Sequence, residues 1–394
     1  LAAGGRLQLH RPTPRELAIV CDAPWEGSSC AYMKVFRDGD LYRMYYRGSD
    51  VVYTKDGYSS PHPEVCCYAE STDGVHWKRP ELGLFEFEGS KKNNILANGP
   101  GGHIFEDPSA PAEERYKAIG AAGQWYDPDT WEPLGKSGVE ELSNEATKRW
   151  DAMQYEGLDY KGPSVVLRGW MVGWTSPDRL HWTQIEEPLA DYSVNGAIAA
   201  RYEPETETYF AYMQPQGFAP EEPRGIGTGA QEAEIVRRAN GFCRTKDFRH
   251  WPAPKLIMHP DSQDDLDISF YSHNYFPYPG RKDLHGMTTS VFHQTTGEMD
   301  VQIAFSRDGL IWYRPERRAI VTLGPPGSGE ECMVGTWNDG VKELPDGNWG
   351  VAYWGESGLH NVKEEFEESL FPLIQTRNMG WALWKPHRFC GMEA

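Results

Sequence analysis

A chain of 394 residues with 39% hydrophobic and 13% aromatic residues is long enough to bury a large core, in one repeat-built domain or two ordinary ones. Its 39 basic and 58 acidic residues leave a formal net charge of −19, spread along the chain, which repels a phosphate backbone and argues against nucleic acid as a partner. No run of about 18 apolar residues occurs, so no helical membrane span is expected.

The 15 Trp and 20 Tyr suit pleated surfaces, and 41 Gly with 29 Pro call for many turns and few long helices. Seven cysteines stand at 21, 30, 66, 67, 243, 332 and 390 with no CxxC pair, which fits neither a complete disulfide framework nor a zinc site. Most read as buried thiols. Adjacent on a strand, Cys66 and Cys67 should face opposite ways. A first residue of Leu1 is what removal of a signal segment would leave, and the compartment stays open between cytoplasmic and secreted.

Along the chain, one seven-residue turn recurs four times. It reads STDGVHW at 71–77, SPDRLHW at 176–182, TKDFRHW at 245–251 and SRDGLIW at 306–312, at intervals of 105, 69 and 61 residues. The hydroxyl and the Asp carboxylate can accept backbone N–H bonds that fix the bend, and the closing Trp can pack against a neighbouring sheet. The turns therefore read as structural, with tryptophans 77, 182, 251 and 312 lying between blades.

Each turn sits between two strand-like runs and follows two more. SCAYMKVFRDG and DLYRMYYRG precede the first, GHIFED and RYKAIGAAG the second, VNGAIAARYEP and TETYFAYMQ the third, HNYFPYPG and MTTSVFHQTT the fourth. A unit of four strands is the size of a propeller blade. A last unit without the turn, MVGTWNDGVKELPDG, NWGVAYWG and IQTRNMGWALWKP, makes five. The expected fold is all-β, a single five-bladed β-propeller with blades near 27–90, 103–190, 195–258, 268–320 and 331–388. An insertion at 126–163 lengthens the first interval. Val139, Leu142, Ala146, Trp150 and Met153 give it one apolar helix face, with Ser137 and Glu140 at capping-box spacing, and it is either a lid or a surface flap. A second short helix is expected over 364–371.

PWE at 24–26, CYAESTDGVHWKRPELGLFEFEGSKKNNI at 67–95, FEDPSAPAEERYKAI at 105–119 and SRDGLIWYRPERR at 306–318 carry a resemblance running from about 20 to 390. The chain resembles the five-bladed propeller glycoside hydrolases, the broad group with invertase-like and arabinanase- or β-xylosidase-like enzymes of families 32 and 43, and looks nearest to a bacterial branch of it. Asp-box turns like these also occur in sialidases, which resemble six-bladed propellers and hold a carboxylated sugar with three arginines. Five units and no clear arginine triad set this chain apart.

The resemblance implies a glycosidase that cleaves a poly- or oligosaccharide between two carboxyl groups, placed at the start of the innermost strand of a blade and facing a central funnel. Residues before each first strand are then the candidates. The first blade offers Glu26, beside Trp25 as a subsite wall. The second offers Asp107 in FEDP, similar to the RDP of invertase-like enzymes, although Glu106 stands where that group has Arg. The third offers Asp191 and Asn195 but lacks the Glu that many related enzymes use as acid. The fourth offers Asp267, Tyr271 and His273, with alternation placing the last two on one face and Asp264 and Asp265 reading as solvated loop charges. The fifth offers Glu330 and Glu331, one of them the proton donor because adjacent negative charge raises a carboxyl pKa, and His360 near it. Trp337 and Trp354 are further stacking candidates.

No cofactor is expected, and a structural or funnel-bound calcium ion is compatible with the resemblance. GIGTGA at 225–230 lacks the third glycine and the βαβ setting of a dinucleotide loop. Two other readings stand beside hydrolysis: a carbohydrate-binding propeller without catalysis, and a glycosyl-transferring or phosphorolytic relative, which needs a basic pocket that Arg237 or Arg238 could supply.

Overall fold

The structure, a computed structural model, describes residues 6–14, 17–28, 30–50, 52–54, 57–59, 62, 64–97, 99–100, 103–126, 130–134, 166–192, 194–215, 226–227, 238–336, 340–359 and 378–393. Both expected helices, in 126–163 and at 364–371, lie outside them, apart from the edges of the insertion. The described residues are all-β, with one 3-10 turn at Ala112–Glu114.

The strands fall into groups of four that follow one another along the chain. Ala31–Asp38, Leu41–Gly48, Val65–Ser71 and Ile95–Leu96 form the first antiparallel group. His103–Glu106, Tyr116–Tyr126, Val166–Ser176 and Thr183–Gln184 form the second. Val194–Glu203, Thr208–Pro215, Asn240–Thr245 and Lys255–Met258 form the third. Ile268–Pro277, His285–His293, Met299–Ser306 and Trp312–Tyr313 follow. Met333–Gly335, Trp349–Glu356 and Asn378–Trp384 are the last, completed from the other end of the chain by Thr13–Pro14 and Ile19–Val20. One parallel pairing, Met299 with Met333, joins the last two groups into a ten-stranded sheet.

The core is not one mass but layers between consecutive groups. Tyr45, Tyr68 and Leu96 meet Ile104, Val172 and Trp174. Ile119 and Met171 meet Ala200, Ala211 and Met213. Ala199 and Tyr212 meet Phe270, Met287 and Val291. Phe276, Val301 and Ile303 meet Val334, Trp349 and Val351. Ala352, Met379 and Trp381 meet Val35, Met44 and Tyr46 of the first group. Middle strands are thus buried on both faces, which is why LYRMYYRG carries aromatics without simple alternation: Tyr45 serves one layer and Tyr46 the next. Cys66 and Cys67 divide in the same way, as alternation requires.

All four turns keep the expected geometry. Oδ1 of Asp73 accepts the N–H groups of Val75 and His76 at 2.8 Å, Oδ2 meets His76 Nδ1 at 2.7 Å, and Trp77 Nε1 donates to the carbonyl of Gly74. Asp178, Asp247 and Asp308 repeat the acceptor role. The fourth-position carbonyl also takes a bond from a neighbouring group: Trp381 to Gly74, Tyr45 to Arg179 and Tyr212 to Gly309. These turns link adjacent sheets, and Trp182 and Trp251 lie in the layers between them.

Candidate functional site

In each of the first four groups the third strand ends in a turn of this kind, so the turns mark one face and the first strands start from the other. That division sorts the candidate residues. Glu26, Asp267, Glu330 and Glu331 precede first strands and belong to the strand-start face. Asp107 does not: it follows His103–Glu106 and sits beside the next strand's first residues, its N–H bonded to the carbonyl of Arg115. This corrects the reading of FEDP as the start of a strand.

At the turn face Asp107 is buried and saturated. Its Oδ1 accepts from Ser109 N at 3.0 Å and Ser109 Oγ at 2.7 Å, and its Oδ2 from Tyr209 Oη at 2.5 Å and Lys117 Nζ at 3.1 Å. Burial alone would raise its pKa, but the bonds from Tyr209, Ser109 and Lys117 outweigh it and hold the carboxyl below its ordinary value. Asp264, expected as a solvated charge, is likewise a buried structural anion, gripped by Arg314 at 2.5 Å and Arg317 at 2.8 Å.

The strand-start face of the first group holds a cleft of about 220 Å³ lined by Tyr32, Tyr45, Tyr46, Arg47, Glu64, Val65, Cys66, Gly99 and Pro100. Its shape comes from an irregularity: the pairing of the first strand slips between Ala31 and Lys34, and Tyr32 takes the left-handed backbone at φ 56. A bulky residue rarely adopts that conformation, and bulges of this kind re-aim side chains beside functional sites. Arg47 lies 4.6 Å from the Tyr32 ring centroid and 3.5 Å from Glu64 Oε2. Burial works to lower the Arg47 pKa, but Tyr32, Glu64 and Tyr271 raise it further, so the guanidinium is firmly charged.

Tyr271 comes from the fourth group, where a second bulge lies between Phe270 and Ser272. The extra residue corrects the expected alternation. Tyr271 packs edge-on to Phe292, whereas His273 pairs across the sheet with Thr289, on the face of Phe270 and Val291. The third group is irregular at the same level, between Val194 and Ile198; this stretch includes Asn195, whose side chain lies outside the described residues. Arg238, just before the third strand of that group, lays its guanidinium 4.4 Å from the Tyr271 centroid.

Glu26 has no exposed surface. Its Oε1 accepts from Tyr46 Oη at 2.5 Å, its Oε2 from Ala23 N at 2.8 Å, and Arg79 stands at 3.3 Å. Burial pushes its pKa up against those partners. Glu26 thus meets the wall of this cleft through Tyr46. Trp25 beside it is half-buried, its indole N–H bonded to Asn94 at 2.7 Å and its ring edge-on to Phe87.

Glu330 and Glu331 are half-buried. Glu330 Oε2 accepts from Tyr353 Oη at 3.2 Å, and burial together with Glu331 raises its pKa despite that bond. Glu331 Oε1 accepts from Gly327 N at 3.3 Å, while its buried Oε2 has no hydrogen-bond partner among the described residues. Asp267 is half-buried and accepts from Thr295 N at 3.4 Å. Trp354 is 4% exposed and stacked over Gly335, so it belongs to the core and offers no face to a sugar. Trp337 and His360 lie outside the described residues. Among the described residues no group of three or more His, Cys, Asp and Glu is placed to hold a metal ion.

No family model matches the chain. The uncharacterized protein Rv1502 of Mycobacterium tuberculosis is 31% identical over 147 residues, 35% of this chain and 46% of its own length. The uncharacterized protein MT1551 of the same species is 29% identical over 146 residues, with the same coverages. The chain spans about half the length of the curated relatives it matches. Among solved structures, an N-acetylgalactosamine deacetylase from F. plautii, in complex with blood group B trisaccharide, aligns with a TM-score of 0.53 at 11% identity over 96% of both chains. An endo-arabinase from Bacteroides thetaiotaomicron aligns at 0.45 and 10% identity over 94% of this chain and 98% of its own. The catalytic domain of a Coprinopsis cinerea GH62 α-L-arabinofuranosidase aligns at 0.46 and 10% identity over 95% and 97%. The chain shares its fold with the F. plautii structure.

Proposed function

We propose that the chain is a five-bladed β-propeller that cleaves glycosidic bonds in a poly- or oligosaccharide at its strand-start face. The observation that carries this reading is the division of labour between faces. At the turn face the Asp107 carboxylate and the Gly74 carbonyl take hydrogen bonds from neighbouring groups. The strand-start face gathers Tyr32, Arg47 and Glu64 around a cleft, with Tyr271 within electrostatic reach of Arg47, and Asp267, Glu330 and Glu331 stand half-buried at strand starts. Ring layers from each consecutive pair of groups, the last returning to the first, support the blade count.

In this reading Glu330 is the proton donor. A carboxyl whose pKa is held up by burial and a neighbouring Glu carries its proton near neutrality more readily than an ordinary one. Asp267, of the adjacent group, is the second carboxylate. Tyr32 and Tyr271 supply ring surface for sugar faces, and Glu64 with Arg47 hydrogen-bonds hydroxyl groups. Tyr46 is fixed by Glu26, and Asp107 holds the fold.

A specific observation favours a second reading, binding without cleavage: the described lining of the cleft contains a single carboxylate, Glu64. The test is reducing-end release from a panel of plant, algal and bacterial glycans by the wild type, Glu330→Gln and Asp267→Asn. Release that both variants abolish while they stay folded supports hydrolysis. Glycan binding by a wild type that releases nothing selects the second reading.

A further inference from the structure

We propose that the glycan taken by this face carries a carboxylate, as a uronic acid does, and that Arg238 is the residue that binds it. The inference rests on the proposed carbohydrate reading and names the substrate class. Several buried and half-buried arginines elsewhere meet carboxylates: Arg79 with Asp22, Arg179 with Glu106, Arg314 with Asp264, and Arg47 with Glu64. Among the described residues Arg238 has neither an ion pair nor a hydrogen-bond acceptor for its buried Nη1.

A guanidinium partly withdrawn from water without an anion is costly, and a ring face beneath it replaces only part of what it lost. What remains is a planar set of donors whose spacing matches a carboxylate. Its position fits that use. It lies over Tyr271, 4.4 Å from the ring centroid and 5.7 Å from that of Phe292, and Tyr271 also acts electrostatically on Arg47. Aromatic platform and cation therefore stand together, with Arg47 of the cleft wall within electrostatic reach of the platform.

Charge selects the anion. Arg47 and Arg238 bring two positive charges, and Glu64 removes one. With Arg47 paired to Glu64, the Arg238 guanidinium is matched by one carboxylate, whereas a phosphate dianion would add a second negative charge beside Asp267, Glu330 and Glu331 in a molecule already at −19.

The experiment measures binding by titration calorimetry, with no need for turnover. The probes are oligogalacturonate and glucuronate-substituted xylo-oligosaccharides, each against its methyl ester, with wild type, Arg238→Gln and Arg238→Lys. At least one acid is expected to bind the wild type about tenfold or more tighter than its ester, a preference that falls with salt. Arg238→Gln should erase the preference and Arg238→Lys retain part of it, the lysine variant guarding against a fold defect. Equal binding of every acid and ester, binding of neither, or an undiminished preference in folded Arg238→Gln overturns the proposal. So does inorganic phosphate that binds in millimolar competition and speeds cleavage of neutral glycans through Arg238. Acid-selective binding without any cleavage would leave this inference standing and sink only the hydrolase reading.

Discussion

Tyr209 donates a 2.5 Å hydrogen bond to Asp107 across the contact between the second and third groups, at the face away from the cleft. Lys117, 2% exposed, completes the cluster. Asp107→Ala would leave that ammonium buried without its anion, at a cost of about 3–5 kcal/mol. The expected outcome is a lowered Tm with unchanged activity per folded molecule. The pH dependence has a definite sign. The folded pKa of Asp107 is depressed, so its stabilisation is full above the unfolded carboxylate value and is lost as pH falls through the folded one. The Tm gap between wild type and variant should narrow from pH 7 toward pH 3. A folded Asp107→Ala without activity would return this residue to the active site.

Glu330 has the opposite sign. Its folded pKa is raised above the ordinary glutamate value, so its favourable contribution is present below that value and fades as pH rises through the folded one. Glu330→Gln should therefore gain stability relative to wild type on going from pH 4 to pH 8, as thermal melts across that range would record. The same proton should set the alkaline limb of activity, and the variant should lose about 10²–10⁴ in kcat. An unchanged alkaline limb in Glu330→Gln would remove it as the donor.

How much of this was legible beforehand follows from what each signal depends on. The turns were legible because their hydrogen bonds are local: Ser71, Asp73, His76 and Trp77 bond within seven residues. Strand groups followed from the turns. Site residues were harder, because bulges at Tyr32 and Tyr271 set their direction, and a one-residue insertion leaves no trace in an alternating pattern. Arg47 and Glu64 sit at strand ends with no motif around them, and only the pairing of Arg47 with Tyr32 and Glu64 exposes their role. Asp107 misled for a related reason. Four residues, His103–Glu106, make a first strand so short that FEDP lies at its far end.

Two glycines separate the faces experimentally. At Gly74 a Cβ has 3.4 Å of clearance, so Gly74→Ala pays only for φ +74, about 1–2 kcal/mol, at the turn face. At Gly48 a Cβ would stand 2.4 Å from the Trp25 carbonyl oxygen and 3.0 Å from Val65. Gly48→Ala must push the Trp25–Glu26 loop away, costing about 1–3 kcal/mol and deforming the cleft wall at Val65. Glycan affinity should survive Gly74→Ala and fall in Gly48→Ala, as calorimetry on both folded variants would show. Equal affinity in the two would place the binding surface elsewhere.

Glu26 reaches the cleft only through Tyr46, and the two substitutions of that pair have different signatures. Tyr46→Phe removes the donor to a buried carboxylate, which costs about 1–3 kcal/mol. Losing that bond also raises a folded pKa that burial has already pushed up. Since a raised pKa withdraws stability as pH rises, the Tm deficit of Tyr46→Phe should widen from pH 5 to pH 8. Glu26→Gln removes the buried charge and should show no such widening, while kcat stays within about tenfold of wild type, because in the proposed reading Glu26 fixes Tyr46 rather than the sugar. A loss of kcat of about 10² or more in a folded Glu26→Gln, at unchanged KM, would mean that the loop opens and delivers this carboxylate to the sugar.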